Sequence, residues 1–314
     1  MRLLRIVPDN TRFGFVRRRV ISFPFSAAIS VATAVLLLVW GLHFGIDFTG
    51  GTLIELQARN GQADVATIRH VANSFSQGGV EVQEFGSGGV SIRVPVQPGG
   101  EGAQGEVVRK ARDAFGKDYE FRRVETVGPR VSGELVQSGT LGVVLSILAV
   151  LAYLWFRFEL PFAIGAIIGT MHDIVLTVGF FVITRIEFNM TSIAAILTIV
   201  GYSLNETVVV FDRTRELMRR YKTMPLEELL DLSVNTTLSR TAMTATTTAL
   251  SLLALVLFGG EAIRDFAVVM LFGVIICTYS AMFVSTPALL YLGVRDAKAK
   301  TGGPAQTPAV EGPF

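Results

Sequence analysis

The chain contains six stretches that are apolar for long enough to cross a lipid bilayer. A membrane-spanning helix needs about 20 mainly apolar residues, and each stretch reaches roughly that length. The predicted spans are 21–42, 138–156, 161–184, 191–211, 236–258 and 266–292. The pattern therefore predicts a membrane α-helical bundle of six transmembrane helices.

Between the first and second spans the pattern changes to short alternating runs. Strands are predicted at 52–58, 80–85, 90–96 and 119–127, and helices at 65–75 and 106–115. Gly-rich segments at 86–89 and 98–105 supply a hairpin turn and a loop. The order of elements is βαββαβ, which predicts a small α+β ferredoxin-like domain after the first helix.

Arginine and lysine clusters predict how the spans are oriented. Positive clusters lie before the first span, after the fourth and after the last, whereas the short loops on the opposite side hold only Arg185 and Arg264. By the positive-inside rule both termini are cytoplasmic, and 43–136 is a periplasmic domain. No small-residue cleavage site follows the first span, so we expect an uncleaved anchor rather than a cleaved signal peptide.

These boundaries divide the chain into five regions. They are a cytoplasmic N-terminus (1–20), transmembrane helix 1 (21–42), the periplasmic domain (43–136), transmembrane helices 2–6 (137–292) and a cytoplasmic tail predicted to be disordered (293–314). Within the fourth region, 212–232 is predicted to form a cytoplasmic amphipathic helix. Its Arg219, Arg220 and Lys222 either contact anionic lipid headgroups or belong to a solvated connector.

Composition narrows the function classes further. The chain is 50% hydrophobic and 17% charged, where a soluble domain carries about a quarter charged residues. A net charge of +2 does not indicate nucleic-acid binding, and one cysteine allows no intrachain disulfide. The three histidines are far apart, and the sequence has no Walker motif or nucleophile–base pair. We therefore expect no enzymatic activity, no metal site and no cofactor.

Polar residues form faces on three of the predicted spans. The faces are Gly165, Gly169, Asp173 and Thr177 in the third span; Thr198, Tyr202, Asn205 and Glu206 in the fourth; and Thr237, Arg240, Thr241, Thr244, Thr248 and Ser251 in the fifth. Gly165 and Gly169 form a GxxxG pattern, which predicts close helix packing. Asp173 is expected to hydrogen-bond to a neighbouring helix. His172 is expected to have a structural role and to point about 100° away from Asp173.

Glu206 and Arg240 are ionisable residues inside stretches that otherwise predict membrane spans. A charge at the centre of a bilayer costs about 2.5–3.5 kcal/mol on insertion scales, so such residues are usually paired or functional. Both lie roughly 7 Å from the same side of the membrane at about 1.5 Å per residue. Three interpretations follow from the pattern: a static ion pair, proton passage, or side chains that reach the interface.

Several motifs in this chain resemble the SecF family of protein-export membrane proteins, part of the SecD/SecF family and the resistance-nodulation-division superfamily. They are GIDFTGG at 45–51, VGPRVSGEL at 127–135, the His172-Asp173 pair, GYSLN at 201–205, VVVFDR at 208–213 and LSRT at 238–241. The resemblance covers nearly the whole chain except its two ends.

The resemblance implies a subunit that uses the proton motive force to assist preprotein translocation at the periplasmic side of the inner membrane. The implied partners are SecD, the SecYEG channel, YajC, YidC, unfolded preprotein and membrane lipid, and the implied coupling ion is the proton rather than sodium. By motif position, the family's relay acid and arginine fall on Glu206 and Arg240, with Asp173 and Asn205 as further candidates. The family commonly has aspartate where this chain has Glu206.

Five motif residues are expected to shape turns rather than to bind a ligand. Asp47, Gly50 and Gly51 are assigned to the turn from helix to strand, and Gly128 and Pro129 to the return from strand to helix.

Two other functions are compatible with the sequence. One is half of a proton-driven exporter of small molecules or lipids, although the domain between the first two spans is small for a substrate cleft. The other is a passive scaffold of the translocase, with Glu206 and Arg240 purely structural. In either case, polar faces on three spans favour a second helical bundle as partner.

Overall fold

The computed structural model describes residues 8, 11–59, 61–85 and 88–294. These residues form two compact units. The membrane unit takes its described residues from Met1–Gly41, Ser146–Thr184 and Ala195–Phe314, and the sheet unit from Leu42–Leu145 and Arg185–Ala194. Most of the predicted tail, from residue 295 onward, lies outside the described residues, as does most of the predicted N-terminal region before residue 11.

Within the described residues, six helices are long and apolar enough to cross a membrane, which confirms the predicted number of spans. The helices are α1 (Arg19–Trp40), α2 (Ile46–Thr49), α3 (Val65–Asn73), α4 (Glu101–Phe115), α5 (Pro129–Arg157), α6 (Leu160–Thr184), α7 (Met190–Arg220), α8 (Leu226–Phe258), α9 (Glu261–Ser280) and α10 (Thr286–Ala288). A π-helical turn, Ala281–Ser285, joins α9 to α10. The chain is therefore a multi-pass membrane protein.

The predicted separate amphipathic helix at 212–232 is wrong. Helix α7 continues without a break to Arg220, and α8 already begins at Leu226. Pro225 precedes the first residue of α8, where its fixed φ and missing N–H are tolerated. The polar segment therefore consists of the C-terminal end of α7, a short connector and the N-terminal end of α8.

Helix α6 packs against both α1 and α9 in the membrane unit. Its GxxxG residues allow close approach to α7 and to the segment after α9: a Cβ on Gly165 would meet Leu289 and Phe211, and one on Gly169 would meet the Ser285 hydroxyl. Phe158, Phe162 and Phe211 pack edge to face or stacked nearby and fill the adjacent core. The glycine pattern therefore predicted a real packing surface.

The π-helical turn has an identifiable cause. Pro287 has no N–H to donate to the carbonyl of Phe283 four residues earlier, so regular α-helical bonding is interrupted. The Ser22 hydroxyl of α1 donates to that carbonyl at 2.9 Å, and the Thr286 hydroxyl donates to the carbonyl of Ala281 at 2.7 Å. Side chains thus satisfy carbonyls that would be costly to leave unpaired in a membrane.

The sheet unit contains four antiparallel strands in the order β2-β3-β1-β4. They are β1 (Gly51–Ala58), β2 (Glu81–Phe85), β3 (Gly89–Val94) and β4 (Tyr119–Val127). Apolar side chains from the sheet, α3 and α4 form one core that includes Ile54, Ile68, Ile92 and Phe115. The predicted loop at 98–105 is partly helical, because α4 begins at Glu101 rather than at 106.

Asp64 caps the N-terminus of α3. Its carboxylate accepts hydrogen bonds from the Thr67 amide at 3.1 Å and the Thr67 hydroxyl at 2.6 Å. These bonds, the hydroxyl first, lower the pKa of Asp64. Stabilisation from this cap is therefore present above the ordinary aspartate range and is lost as the pH falls through the lowered pKa.

Replacement of Gly169 by alanine tests the packing of α6. The added Cβ collides with Ser285, and overpacking of this kind costs about 1–3 kcal/mol. Gly201→Ala is the matched control, because nothing lies within 4 Å of a Cβ built there. Thermal unfolding of the detergent-purified protein should show a lower Tm for Gly169→Ala only; equal Tm values for the two variants would contradict the packing argument.

Candidate functional site

Glu206 is an acidic side chain buried in the membrane unit. It lies in α7 and is only 2% exposed. Its Oε1 accepts a hydrogen bond from the Thr244 hydroxyl of α8 at 2.9 Å. The same hydroxyl lies within hydrogen-bond distance of the carbonyls of Arg240 and Thr241 in its own helix. Among the described residues, the carboxyl group of Glu206 thus has one side-chain hydrogen-bond partner, and that partner belongs to a neighbouring helix.

Arg240 does not form the ion pair with Glu206 that the sequence allowed. The described residues contain no salt bridge between the two, and Arg240 is exposed in this chain. The contact with Glu206 is made instead by Thr244, which lies on nearly the same side of α8 but one turn further along, so Arg240 is offset by roughly 6 Å along the helix axis. The approximate agreement in depth predicted from the sequence was therefore not sufficient to bring the two charges together.

Asn205 is also turned away from the buried site. It is exposed, whereas its neighbour Glu206 and the following Thr207 are buried. The prediction that Asn205 shares one side of the fourth span with Glu206 is therefore wrong for this residue. Asn205 and Arg240 both present polar groups on the surface of the isolated chain.

Asp173 forms the hydrogen bonds to neighbouring helices that the sequence predicted. It is 1% exposed, and its Oδ2 accepts from the hydroxyl of Ser203 in α7 at 2.6 Å and from that of Ser280 in α9 at 2.8 Å. One carboxylate thus joins three helices. Ser203 lies one turn before Glu206 on α7, so the same helix donates to one buried acid and carries the other.

His172 contacts Asp173 although the two are adjacent in sequence. The Nδ1 atom of His172 lies 3.2 Å from Oδ1 of Asp173, so the expectation that the side chains diverge is wrong. Adjacent Cβ atoms diverge on a helix, but the long imidazole side chain turns back toward the carboxylate. The His172 ring also lies 6.1 Å from the ring of Tyr279.

The family-motif residues at the start of the sheet unit shape the backbone. Asp47 Oδ2 accepts from the amide of Met190, the first residue of α7, at 2.9 Å and so satisfies a free helix N–H. Gly50 and Gly51 have φ values of 69° and 116°, and a Cβ on Gly50 would lie 2.7 Å from Val96 Cγ2. These glycines allow β1 to begin immediately after α2.

Gly128 and Pro129 form the return from β4 into α5. Strand β4 ends at Val127 and α5 begins at Pro129, where proline is favoured as the first helical residue. The carbonyl of Gly128 accepts from the amide of Ser132 at 3.0 Å, which closes the first turn.

Ser203 and Ser280 are site residues that the sequence reasoning missed. Serine is common in spans and has no charge, so neither residue stands out. A signal was available for Ser203, which precedes Glu206 by one helical turn. Among the described residues there is no cluster of three or more His, Cys, Asp or Glu side chains with metal-binding geometry.

Removal of the two serine hydroxyls tests the Asp173 centre. Each hydrogen bond to a charged group contributes about 1.5–3 kcal/mol, so Ser203→Ala combined with Ser280→Ala should lower the Tm strongly. Ser251→Ala is the control, because that exposed hydroxyl bonds only to the Thr247 carbonyl of its own helix. Thermal unfolding in detergent measures the difference; a double variant as stable as the control would show that Asp173 does not depend on these donors.

Comparison with known proteins identifies the family. The family description "Protein export membrane protein SecD/SecF, C-terminal" matches residues 107–295, and "SecD/SecF GG Motif" matches residues 35–61, which include Gly50 and Gly51. The protein translocase subunit SecF of Rickettsia akari is 40% identical over 300 residues, which are 95% of this chain and 97% of that protein.

Two longer relatives match this chain over only part of their own length. The protein translocase subunit SecDF of Brucella abortus is 40% identical over 302 residues, and the chain spans only 40% of its length. A crystal structure of SecDF from Thermus thermophilus, described as a translocon-associated membrane protein, superimposes with a TM-score of 0.81 at 30% identity, covering 91% of this chain and 39% of that one. With six membrane helices, the glycine motif and both family matches, this chain belongs to the SecD/SecF family of protein-export membrane proteins.

Proposed function

We propose that this chain is a subunit of a SecD-containing complex that uses the proton motive force to assist preprotein translocation through the SecYEG channel at the periplasmic side. The observation that carries the proposal is the burial of Glu206, 2% exposed, with one hydroxyl donor from a neighbouring helix. An ionisable side chain inside a membrane helix is costly unless it is paired or functional, and this one has a single hydroxyl partner among the described residues.

Protonation of Glu206 also alters how α7 contacts α8. When Glu206 is ionised, its Oε1 accepts a hydrogen bond from the Thr244 hydroxyl. A protonated Glu206 is a weaker acceptor, and the Thr244 hydroxyl then favours the carbonyls of Arg240 and Thr241 in its own helix. Proton binding thereby loosens one interhelical contact, which is the kind of local change that can bias a movement of helices.

The exposed polar groups support a second membrane bundle as partner. Asn205 and Arg240 lie on the surface of this chain within membrane helices, where contact with lipid is costly. A SecD bundle that covers this face supplies partners for them, in agreement with the relatives that join both parts as SecDF. YajC and YidC are proposed as further neighbours of the assembly.

The proposed location is the bacterial inner membrane, with both termini in the cytoplasm. Arg17, Arg18 and Arg19 before or at the start of α1, and Arg219 and Arg220 at the end of α7, mark the cytoplasmic side by the positive-inside rule. The sheet unit is then periplasmic. Its antiparallel strand order β2-β3-β1-β4, with α3 and α4 between the strands, supports assignment to the ferredoxin-like class.

Glu206→Gln is the direct test of coupling. The variant keeps the size of the side chain but does not ionise, so the gradient-dependent part of preprotein export into inverted membrane vesicles should disappear. Glu216→Gln is the matched control on the same helix, because Glu216 is exposed and only pairs with Arg213. The SecD content of the vesicles is measured in every sample.

The export measurement distinguishes a role in coupling to the proton gradient from a role as a passive scaffold. Gradient-stimulated export that survives in Glu206→Gln, with the complex intact, would favour a passive scaffold and refute the coupling role. If both export and SecD are lost from the vesicles, Glu206→Gln has an assembly defect. Glu206→Asp then tests coupling in its place, because aspartate restores an ionisable group at the same position.

Arg240→Lys tests why an arginine occupies an exposed membrane position. A cation that only reaches the interface is replaced by lysine without effect, because both side chains can extend along apolar surface. A guanidinium that pairs bidentately with a partner carboxylate is not replaced by lysine. We expect Arg240→Lys to reduce gradient-stimulated export at least about tenfold, a loss of about 1.4 kcal/mol in coupling, and wild-type export from this variant would contradict the pairing.

A further inference from the structure

A cavity of about 470 Å³ lies in the membrane unit between α1, α6 and the chain segment after α9. Ligand sites commonly have volumes of about 300–1,000 Å³. The wall is almost wholly apolar and includes Phe23, Ala27, Ile168, Val284, Ala288 and Leu292. The Ser26 hydroxyl in the wall already lies within hydrogen-bond distance of the Tyr279 hydroxyl, at 3.1 Å. The surface of this cavity therefore favours an apolar occupant.

The cavity covers the depth of one leaflet of a bilayer. Helices α1 and α6 begin at the same end of the membrane unit, because Val16 and Phe162 belong to one apolar cluster. Phe23 and Ser30 lie about 6 and 16 Å beyond the first residue of α1, at about 1.5 Å per residue. The hydrocarbon core of a bilayer is about 30 Å thick, so its middle is about 15 Å from either interface. The cavity therefore extends from the interface to the bilayer centre, which is the depth of one acyl chain.

An aromatic pair marks the outer end of the cavity. The rings of Phe23 and Tyr291 have centroids 6.0 Å apart, and Tyr291 is 69% exposed. The Arg19 guanidinium donates a hydrogen bond to the Tyr291 hydroxyl and pairs with Glu227 at 3.1 Å. Tyrosine is typical of the level where lipid headgroups meet the hydrocarbon core. The outer end of the cavity therefore lies beside the headgroups of the leaflet in which α1 begins.

Two exposed arginines lie at this level without a counter-charge. Arg17 and Arg18 directly precede α1, and neither forms a salt bridge with another of the residues that the structure describes. Arg19, in contrast, is neutralised by Glu227. A guanidinium binds a phosphate group through paired N–H donors. Two such cations beside an apolar cavity complement a molecule that combines an acyl chain with a net negative headgroup.

We propose that the cavity binds an acyl chain of one anionic phospholipid from the leaflet in which α1 begins, with its phosphate held by Arg17 and Arg18. The bound chain fills the space between α1, α6 and the segment after α9 and contacts all three. The lipid thereby stabilises the packing of α1 on the bundle. This site does not involve Glu206 or Thr244 and does not depend on coupling to the proton gradient.

Photocrosslinking in vesicles tests the lipid and its charge. The full chain, in complex with SecD, is reconstituted in phosphatidylcholine vesicles that contain a small fraction of a phosphatidylglycerol probe with a photoreactive diazirine in one acyl chain. A phosphatidylcholine probe with the same acyl chain is the comparison. We expect the anionic probe to label Ala27 and Ser30 at least about fivefold more than the zwitterionic probe, which is the effect of one arginine near an anionic headgroup. Outward-facing Val31, which is 64% exposed, should be labelled equally by both probes.

Ala27→Phe tests whether the acyl chain enters the cavity. The larger side chain occupies the space, so labelling of Ser30 by the anionic probe should fall to the level of the zwitterionic probe. Ala28→Phe is the matched control, because Ala28 is the next residue, is exposed and does not line the cavity. Labelling of Ser30 that survives in Ala27→Phe would place the acyl chain outside the cavity and contradict the proposal.

Arg17→Gln combined with Arg18→Gln tests the binding of the headgroup. The preference for the anionic probe should disappear in this double variant, while labelling by the zwitterionic probe stays unchanged. Arg219→Gln combined with Arg220→Gln is the control, because it removes the same charge from exposed arginines at the end of α7. An unchanged preference in the first double variant would refute the role of Arg17 and Arg18.

Two results with the wild-type complex would overturn the proposal directly. Equal labelling of Ser30 by both probes would show an unselective contact with bulk lipid. Labelling of Val31 without labelling of Ala27 or Ser30 would show that a protein helix covers the cavity. If Ala27→Phe does not assemble with SecD, the wild-type comparison still decides.

Failure of this inference can be told from failure of the proposed function. The crosslinking uses no proton gradient and no preprotein, so the lipid site can be refuted while the coupling role of Glu206 stands. Gradient-stimulated export that survives in Glu206→Gln would in turn refute the coupling role and leave the lipid site intact.

Discussion

The carboxylate of Asp173 is the constraint on which the membrane unit depends. It is almost fully buried, and the hydroxyls that satisfy it come from α7 and α9, while its own helix α6 packs on α1 as well. A buried acid without donors would be expensive in this environment, so these helices cannot separate independently. The polar centre fixes which faces of three apolar helices meet, which apolar packing alone specifies weakly in a membrane.

The sequence predicted the number of spans and the approximate limits of the strands because hydropathy and alternation depend on local composition. It also predicted the close approach at Gly165 and Gly169 and the hydrogen-bonded state of Asp173. These features follow from one helix considered alone. The extra length of α7 and α8 was not predicted, because their polar ends lie outside the apolar stretch and carry charges typical of connectors.

The candidate site was predicted less well because it depends on helix rotation. A shift of one residue turns a side chain by about 100°, which separates Glu206 from Asn205 and Arg240 from Thr241. The sequence places Glu206 and Arg240 at one depth but does not determine the rotation of α8 against α7. Likewise the contact between His172 and Asp173 depends on side-chain torsions that periodicity does not describe. The depth of a residue in the membrane depends on its own helix, whereas the residues that it faces depend on how two helices are rotated against each other.

The attachments of α1 have a consequence for biosynthesis. Ser22 donates to the carbonyl of Phe283, Ser26 bonds to the hydroxyl of Tyr279, and a Cβ on Gly179 would collide with Thr33. Two hydroxyls of α1 therefore find their hydrogen-bonding partners 253 and 261 residues later, in α9 and in the π-helical turn that follows it. Until α9 and the π-helical turn are made, these hydroxyls face lipid or their own backbone. Such long sequence separation makes these contacts slow to form, so a chain truncated before α9 should still dock α1 on α6 through Thr33 and Gly179 but leave Ser22 and Ser26 without these partners.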